Sequence, residues 1–216
     1  MRQDMRSQPL PEGMNRRAVL AGAAGLALLA ATPALAQTAA PGAYMGLKVI
    51  GNPDAPVTIE EFASLACSHC ADFHVKILPT IKKDFLDTGK AKLVLHPFVL
   101  NAPGLRAEML ARCAGEARYP AMVDILFKSQ AQWLNQNFMG ELAKIARLAG
   151  FTQAQFDACM QDKQLQNFLA QSQFGAQQKH NINSTPTFIL NNGAARVEGA
   201  KEKELIGALE KLGAKR

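Results

Sequence analysis

The sequence predicts an α/β layer interrupted once by helices, and three observations predict it. Two segments rich in β-branched and aromatic residues, Val57-Thr58-Ile59-Glu60-Glu61-Phe62 and Lys92 to Val99, read as strands on either side of a helical stripe. From about residue 101 to 180 the apolar residues recur only at helical spacing. Strand chemistry then returns at Thr187 to Leu190 and Ala195 to Glu198 before a last amphipathic segment.

Taken in order, the 216-residue chain opens with segments that are not fold. Met14-Asn15-Arg16-Arg17 is a basic start, Ala18 to Thr32 carries no charge, and Ala34-Leu35-Ala36 is a small-residue cleavage pattern, so residues 1–36 read as a signal peptide. The paired arginines give it a twin-arginine character. The competing reading, a transmembrane anchor, needs about 20 apolar residues and no cleavage site. Met14 is also a second candidate start. Residues 37–50 read as a linker, and Gly51-Asn52-Pro53-Asp54-Ala55-Pro56 is a turn cluster.

After the first strand, Cys70, Phe73, Ile77, Ile81 and Phe85 form one apolar stripe, so a helix starts at the cysteines. Pro79, lacking an N–H, should kink it, and Asp87-Thr88-Gly89 should end it. Within 101–180 the stripes are Leu105/Met109/Cys113, Met122/Leu126, Leu142/Ile145/Ala149 and Phe156/Met160. Thr152 and Gln155 fit a capping box following a stop at Gly150. Asn191-Asn192-Gly193 is a hairpin turn, and Leu205, Ile206, Leu209 and Leu212 mark the closing helix.

The formal charge is +6, and residues 1–36 contribute +2, leaving +4 for the remainder. Basic residues are interleaved with acidic ones rather than grouped with aromatics, which argues against nucleic acid as a partner. All four cysteines, Cys67, Cys70, Cys113 and Cys159, lie beyond the signal. Export would place them where disulfides persist.

Cys67-Ser68-His69-Cys70 carries the chemistry. A sulfur at a strand-to-helix junction faces unpaired N–H groups and the positive end of the helix dipole, both favouring thiolate, and His69 adds a donor. Cys67, at the exposed first helical position, should be the attacking and attacked sulfur, while Cys70, on the apolar stripe, should resolve. Zinc would require a second CxxC or a histidine pair, and His74, His96 and His180 are scattered in sequence, so no metal site is expected. An inert structural bridge is the other alternative.

With CSHC after a strand, Thr185-Pro186-Thr187 before the late hairpin, and "APVTIEEF" ahead of the motif, the chain resembles the DsbA-like thiol:disulfide oxidoreductases of the thioredoxin superfamily, in the bacterial branch with a helical insertion. The resemblance spans roughly residues 51 to 212. It implies a thioredoxin fold with an inserted helical subdomain: residues 51–100 and 181–216 as its two parts, and 101–180 as the insertion. It further implies a cis peptide at Thr185-Pro186 facing the dithiol, with Ser68, Thr185 and Pro186 contacting substrate, and a buried acid at Glu61 moving protons for Cys70. Only one of Glu60 and Glu61 can point inward by strand alternation, and two solvated glutamates is the plain alternative. Ser68 stands where many relatives have proline, a departure that leaves the redox potential open.

The implied activity is donation of the Cys67–Cys70 disulfide to reduced secreted or periplasmic proteins by a monomer. It needs no cofactor beyond that disulfide and is renewed by a DsbB-like membrane thiol oxidase. An isomerase or reductase is the rival, favoured by threonine at 185 but without room for a dimerisation domain between Gln37 and Pro56; a metal chaperone is the rival of another class. Cys113 and Cys159 both fall in helical segments and read as a structural disulfide or, alternatively, as two buried thiols. Met109, Met122, Met139, Met160 and Trp133 read as core rather than as a substrate groove.

Overall fold

The computed structural model describes residues 44–216, so the signal peptide and residues 37–43 of the linker lie outside the described residues. Lys48–Gly51 forms a strand, β1, and Tyr44 before it is buried, which corrects the linker reading at its end. Four residues including a lysine and a glycine give little strand signal; β1 exists because it lies antiparallel on β3 (Ala91–Pro97), Lys48 opposite Leu95. With β2 (Val57–Ala63), β4 (Thr187–Leu190) and β5 (Ala195–Glu198) these form one sheet in the order β1-β3-β2-β4-β5. Only β2 and β3 are parallel, with Val57 opposite Ala91 and Ala63 opposite Pro97. A parallel pair needs a crossover, and the cysteine-bearing helix is that crossover.

The crossover is one helical run of four segments. They are α1 (Ser68–Asp72), a π-helical segment Phe73–Ile77, α2 (Leu78–Ile81) and a second π-helical segment Lys82–Leu86. Cys70, Phe73, Ile77, Ile81 and Phe85 are all buried along it. Pro79 falls in the first turn of α2, where its missing N–H is tolerated, and the helix widens into the π segment just before it rather than simply kinking. Gly89, at φ 71°, ends the run.

Six helices fill the insertion: α3 (Ala102–Cys113), α4 (Tyr119–Lys128), α5 (Gln130–Trp133), α6 (Phe138–Leu148), α7 (Gln153–Gln161) and α8 (Lys163–His180). Asn101 caps α3 by accepting from the Gly104 N–H at 2.9 Å, and Thr152 with Gln155 forms a capping box on α7. Cys113 and Cys159 are joined in a disulfide between α3 and α7, with an S–S length of 2.07 Å. Met109, Met122, Met160 and Trp133 are buried, and Met139 packs against the same core. The Trp133 indole N–H is satisfied by the Leu126 carbonyl at 2.7 Å.

A charged residue is also part of this core. Arg112 is fully buried, its Nε donating to Glu108 at 2.7 Å and its Nη1 to the Gly46 carbonyl at 3.0 Å, while the Tyr119 hydroxyl donates to the same Glu108 oxygen at 2.9 Å. The network ties the segment ahead of β1 to α3 and α4. The β4–β5 hairpin turns through Asn191, Asn192 and Gly193, all at positive φ (42°, 60° and 107°), and α9 (Glu202–Lys211) closes the chain with Leu205, Ile206 and Leu209 buried.

Candidate active site

The site lies where β2 runs out into α1. Cys67 is the N-cap residue of α1, with extended φ/ψ of −93° and 123°, one position earlier than the first helical turn expected for it. It is partly exposed, whereas Cys70, one turn on, is fully buried; both are free thiols. The loop is held from below: the Cys67 N–H donates to the Ser64 carbonyl at 3.0 Å, and the Gln130 side chain on α5 donates to the carbonyls of Leu65 and Cys67 at 2.7 and 3.0 Å. Facing it, the Thr185–Pro186 peptide is cis. The Cys67 thiol donates to the Thr185 carbonyl at 3.3 Å.

The two sulfurs have opposite acidities. Hydrogen bonding from the Cys70 thiol, then from Thr185 and from the backbone N–H groups of Cys70 and His69, outweighs partial burial and lowers the Cys67 pKa from 9.0 to about 5. The buried Thr185 hydroxyl has no other hydrogen-bond partner among the described residues. Burial, then the Cys67 sulfur, then the Glu61 charge push the Cys70 thiol upward. Such a pair can present one ready nucleophile and keep its neighbour protonated until the first has reacted.

Where sequence reasoning expected a donor from His69, its main-chain N–H supplies it. The His69 and Ser68 side chains are exposed, and His69 borders a groove of about 460 Å³ with Asp72, Lys76, Ile77 and the Gly199–Lys201 turn. Glu61 is fully buried on the cysteine side of the sheet, its carboxylate oxygens 3.0 and 3.1 Å from His74 Nε2. Glu60 takes the other face, as alternation requires, but that face is covered too: its side chain is 16% exposed and lies 3.4 Å from His96 and 4.0 Å from His180. The reading that only one of the two points inward is corrected, because β2 is central and α8 packs on the sheet's second face, against β3 and beside Phe62.

The histidines that look scattered in sequence therefore converge on these two glutamates. Among the described residues, no three or more His, Cys, Asp or Glu side chains are grouped to hold a metal. Sequence reasoning missed Gln130 and His74. Gln130 sits in a four-residue helix with no motif to mark it, whereas His74 sits four residues beyond Cys70, a spacing that places both on one helix face.

A reactive cysteine at a strand-to-helix junction, facing a cis-proline loop on a sheet of this order, defines a dithiol protein of thioredoxin fold. A thioredoxin-family sequence profile matches residues 46–211. The crystal structure of alpha-DsbA1 from Wolbachia pipientis is 30% identical, covers 77% of this chain and 90% of its own, and superposes with a TM-score of 0.70. Disulfide bond formation protein D of Bacillus subtilis is 29% identical over 182 residues, 75% of this chain and 78% of its own. A Rickettsia bellii protein, provisionally named a protein-disulfide oxidoreductase, is 30% identical over 76% of this chain. This chain spans 63% of the length of that protein and 52% of the Rickettsia felis relative. The chain belongs to the thioredoxin family, in its DsbA-like branch.

Proposed function

We propose that the protein is a thiol:disulfide oxidoreductase that works as an oxidase on reduced exported proteins, with the cysteine pair as its redox centre and no other cofactor. The observation that carries this reading is the lowering of the Cys67 pKa to about 5. Whatever stabilises the reduced thiolate makes the Cys67–Cys70 disulfide the stronger oxidant. A substrate thiolate attacks Cys67, the Cys67–Cys70 bond opens with its electron pair going to Cys70, and a mixed disulfide forms. A second substrate thiolate then attacks the substrate sulfur, a substrate disulfide forms, and Cys67 leaves as thiolate. Two electrons have passed from substrate to the cysteine pair.

The Thr185 backbone beside Cys67 would pair with an extended substrate segment, and the groove bordered by His69 would take its flanking side chains. Glu61, buried behind the pair, would carry the proton of Cys70. Reoxidation by a DsbB-like membrane partner, a periplasmic or secreted location reached by a twin-arginine or general signal, and a monomeric state complete the reading. Isomerase or reductase activity is the second reading, favoured by threonine at 185.

Equilibration with glutathione tests the choice. A potential closer to DsbA's, about −120 mV, than to thioredoxin's, about −270 mV, is expected, and a value at the thioredoxin end would reverse the assignment. Trapping mixed disulfides on Cys70→Ala protein identifies the substrates: many unrelated exported proteins support a general oxidase, and one or two clients a dedicated one.

A further inference from the structure

Glu61 does not stand alone beneath the cysteines. His74 lies on the π-helical segment after α1, 7% exposed, with Nε2 within 3.1 Å of both Glu61 oxygens. Its ring has little freedom: it stacks on Phe127 with centroids 4.1 Å apart and planes at 25°, and meets Phe73 edge-on at 5.4 Å. The terminal torsion of a glutamate is otherwise broad, so one nitrogen held against both oxygens fixes the plane of the carboxyl group. The pair also borders a cavity of about 20 Å³, lined as well by Glu108, Tyr119, Val123 and Phe127. A single water needs roughly 10–15 Å³ of such space and two to four polar partners.

We propose that His74 is a positioning residue for the Cys70 half of the reaction: by donating from Nε2 it holds the Glu61 carboxyl toward Cys70 and beside a water-sized cavity. The inference rests on the reading of Glu61 as the proton carrier of Cys70. When a substrate thiolate opens the Cys67–Cys70 bond, the electron pair remains on the Cys70 sulfur and the Glu61 carboxyl gives it a proton. The carboxylate so formed keeps the His74 N–H bond and regains a proton from bulk solvent, relayed by water in the cavity. The other titratable groups near this pair are Cys70 on α1, which feels the Glu61 charge, and Glu108 on α3, Tyr119 on α4 and His96 at the end of β3, which line the same cavity.

The test measures the rate at which glutathione opens the Cys67–Cys70 disulfide of the full chain, as a function of pH, with Cys67 acidity followed separately by thiolate absorbance. His74→Phe keeps the ring stack but loses the donor, and His74→Gln keeps an N–H donor without the ring. His74→Phe should slow opening about tenfold, the worth of one hydrogen bond to a charged group, and shift the pH profile, while His74→Gln restores most of the rate. Adding His74→Phe to Glu61→Gln should cost nothing further. Equal slowing by both His74 variants, an unmoved pH profile, or additive losses in the double variant would overturn the proposal.

If Glu61→Gln itself opens at the normal rate, the reading of Glu61 fails and takes this inference with it. If Glu61→Gln is slow and His74→Phe is normal, only the inference fails. Nitrogen NMR of the unaltered protein gives an answer that depends on no variant folding: the His74 proton should reside on Nε2, and a ring protonated only on Nδ1 would refute the arrangement.

Discussion

Two cysteines of one type, three residues apart, differ because one caps a helix at the surface and the other turns into the core. The Cys67 value near 5 sets a pH signature. Its folded value lies below the ordinary 9.0, so its contribution to the stability of the reduced protein is complete above about pH 9, present in part at neutrality, and lost as pH falls through about 5. The reduced protein should therefore melt above the oxidised one at pH 7, with the margin closing toward pH 5. Each proton taken up with the two electrons moves the potential by about 30 mV per pH unit. Glutathione equilibria should show a slope of about 60 mV per unit below pH 5, where both sulfurs take protons, and about 30 mV above it, where only Cys70 does. A single slope through that region would show that Cys67 is an ordinary thiol.

Among the elements, α5 is the shortest helix of the insertion, and through Gln130 it holds the active-site loop. Gln130 closes two hydrogen bonds on the active-site loop from a buried position, so Gln130→Ala would take its donor from the Leu65 carbonyl and leave the Cys67 carbonyl with the Ala71 N–H alone. A loss of about 1–3 kcal/mol in urea unfolding is expected, with the loop amides exchanging faster than the rest of β2. The α3–α7 bridge closes a separation of 46 residues. Replacing both Cys113 and Cys159 by alanine should cost about 4 kcal/mol on the loop-entropy account, read as a lower urea midpoint. Neither α5 nor β1 is legible beforehand: unlike the equally short β4 and β5, which an Asn-Asn-Gly hairpin turn marks, they have no turn joining them to a partner and owe their conformation to what they pack against. The capping box at Thr152 and the stripe from Cys70 to Phe85 are legible, because capping and helical spacing are local.

For the molecule as a whole, the insertion is joined to the N-terminal edge of the sheet through Arg112. Its guanidinium meets Glu108 and the Gly46 carbonyl and lies about 5 Å from the rings of Tyr119 and Phe168. Removing one partner of a buried ion pair leaves the other charge stranded, so Arg112→Ala should destabilise the protein by about 3–5 kcal/mol. Calorimetry reads the loss directly, and replacing Glu108 and Arg112 together by apolar residues of similar volume should recover much of it. The same long-range logic gathers His96 and His180 around Glu60 on one face of the sheet and His74 against Glu61 on the other.

The order from β2 through the cysteine-bearing helix, β3, the helical insertion and the β4–β5 hairpin to α9, the identity of the reactive pair and the turn at Thr185-Pro186 follow from the sequence because each is written in neighbouring residues. The partners of the glutamates, the Gln130 clasp and the Arg112 network do not. Each is made by groups distant in the chain, and the free energy of a charge depends on what surrounds it in space, which folding alone supplies.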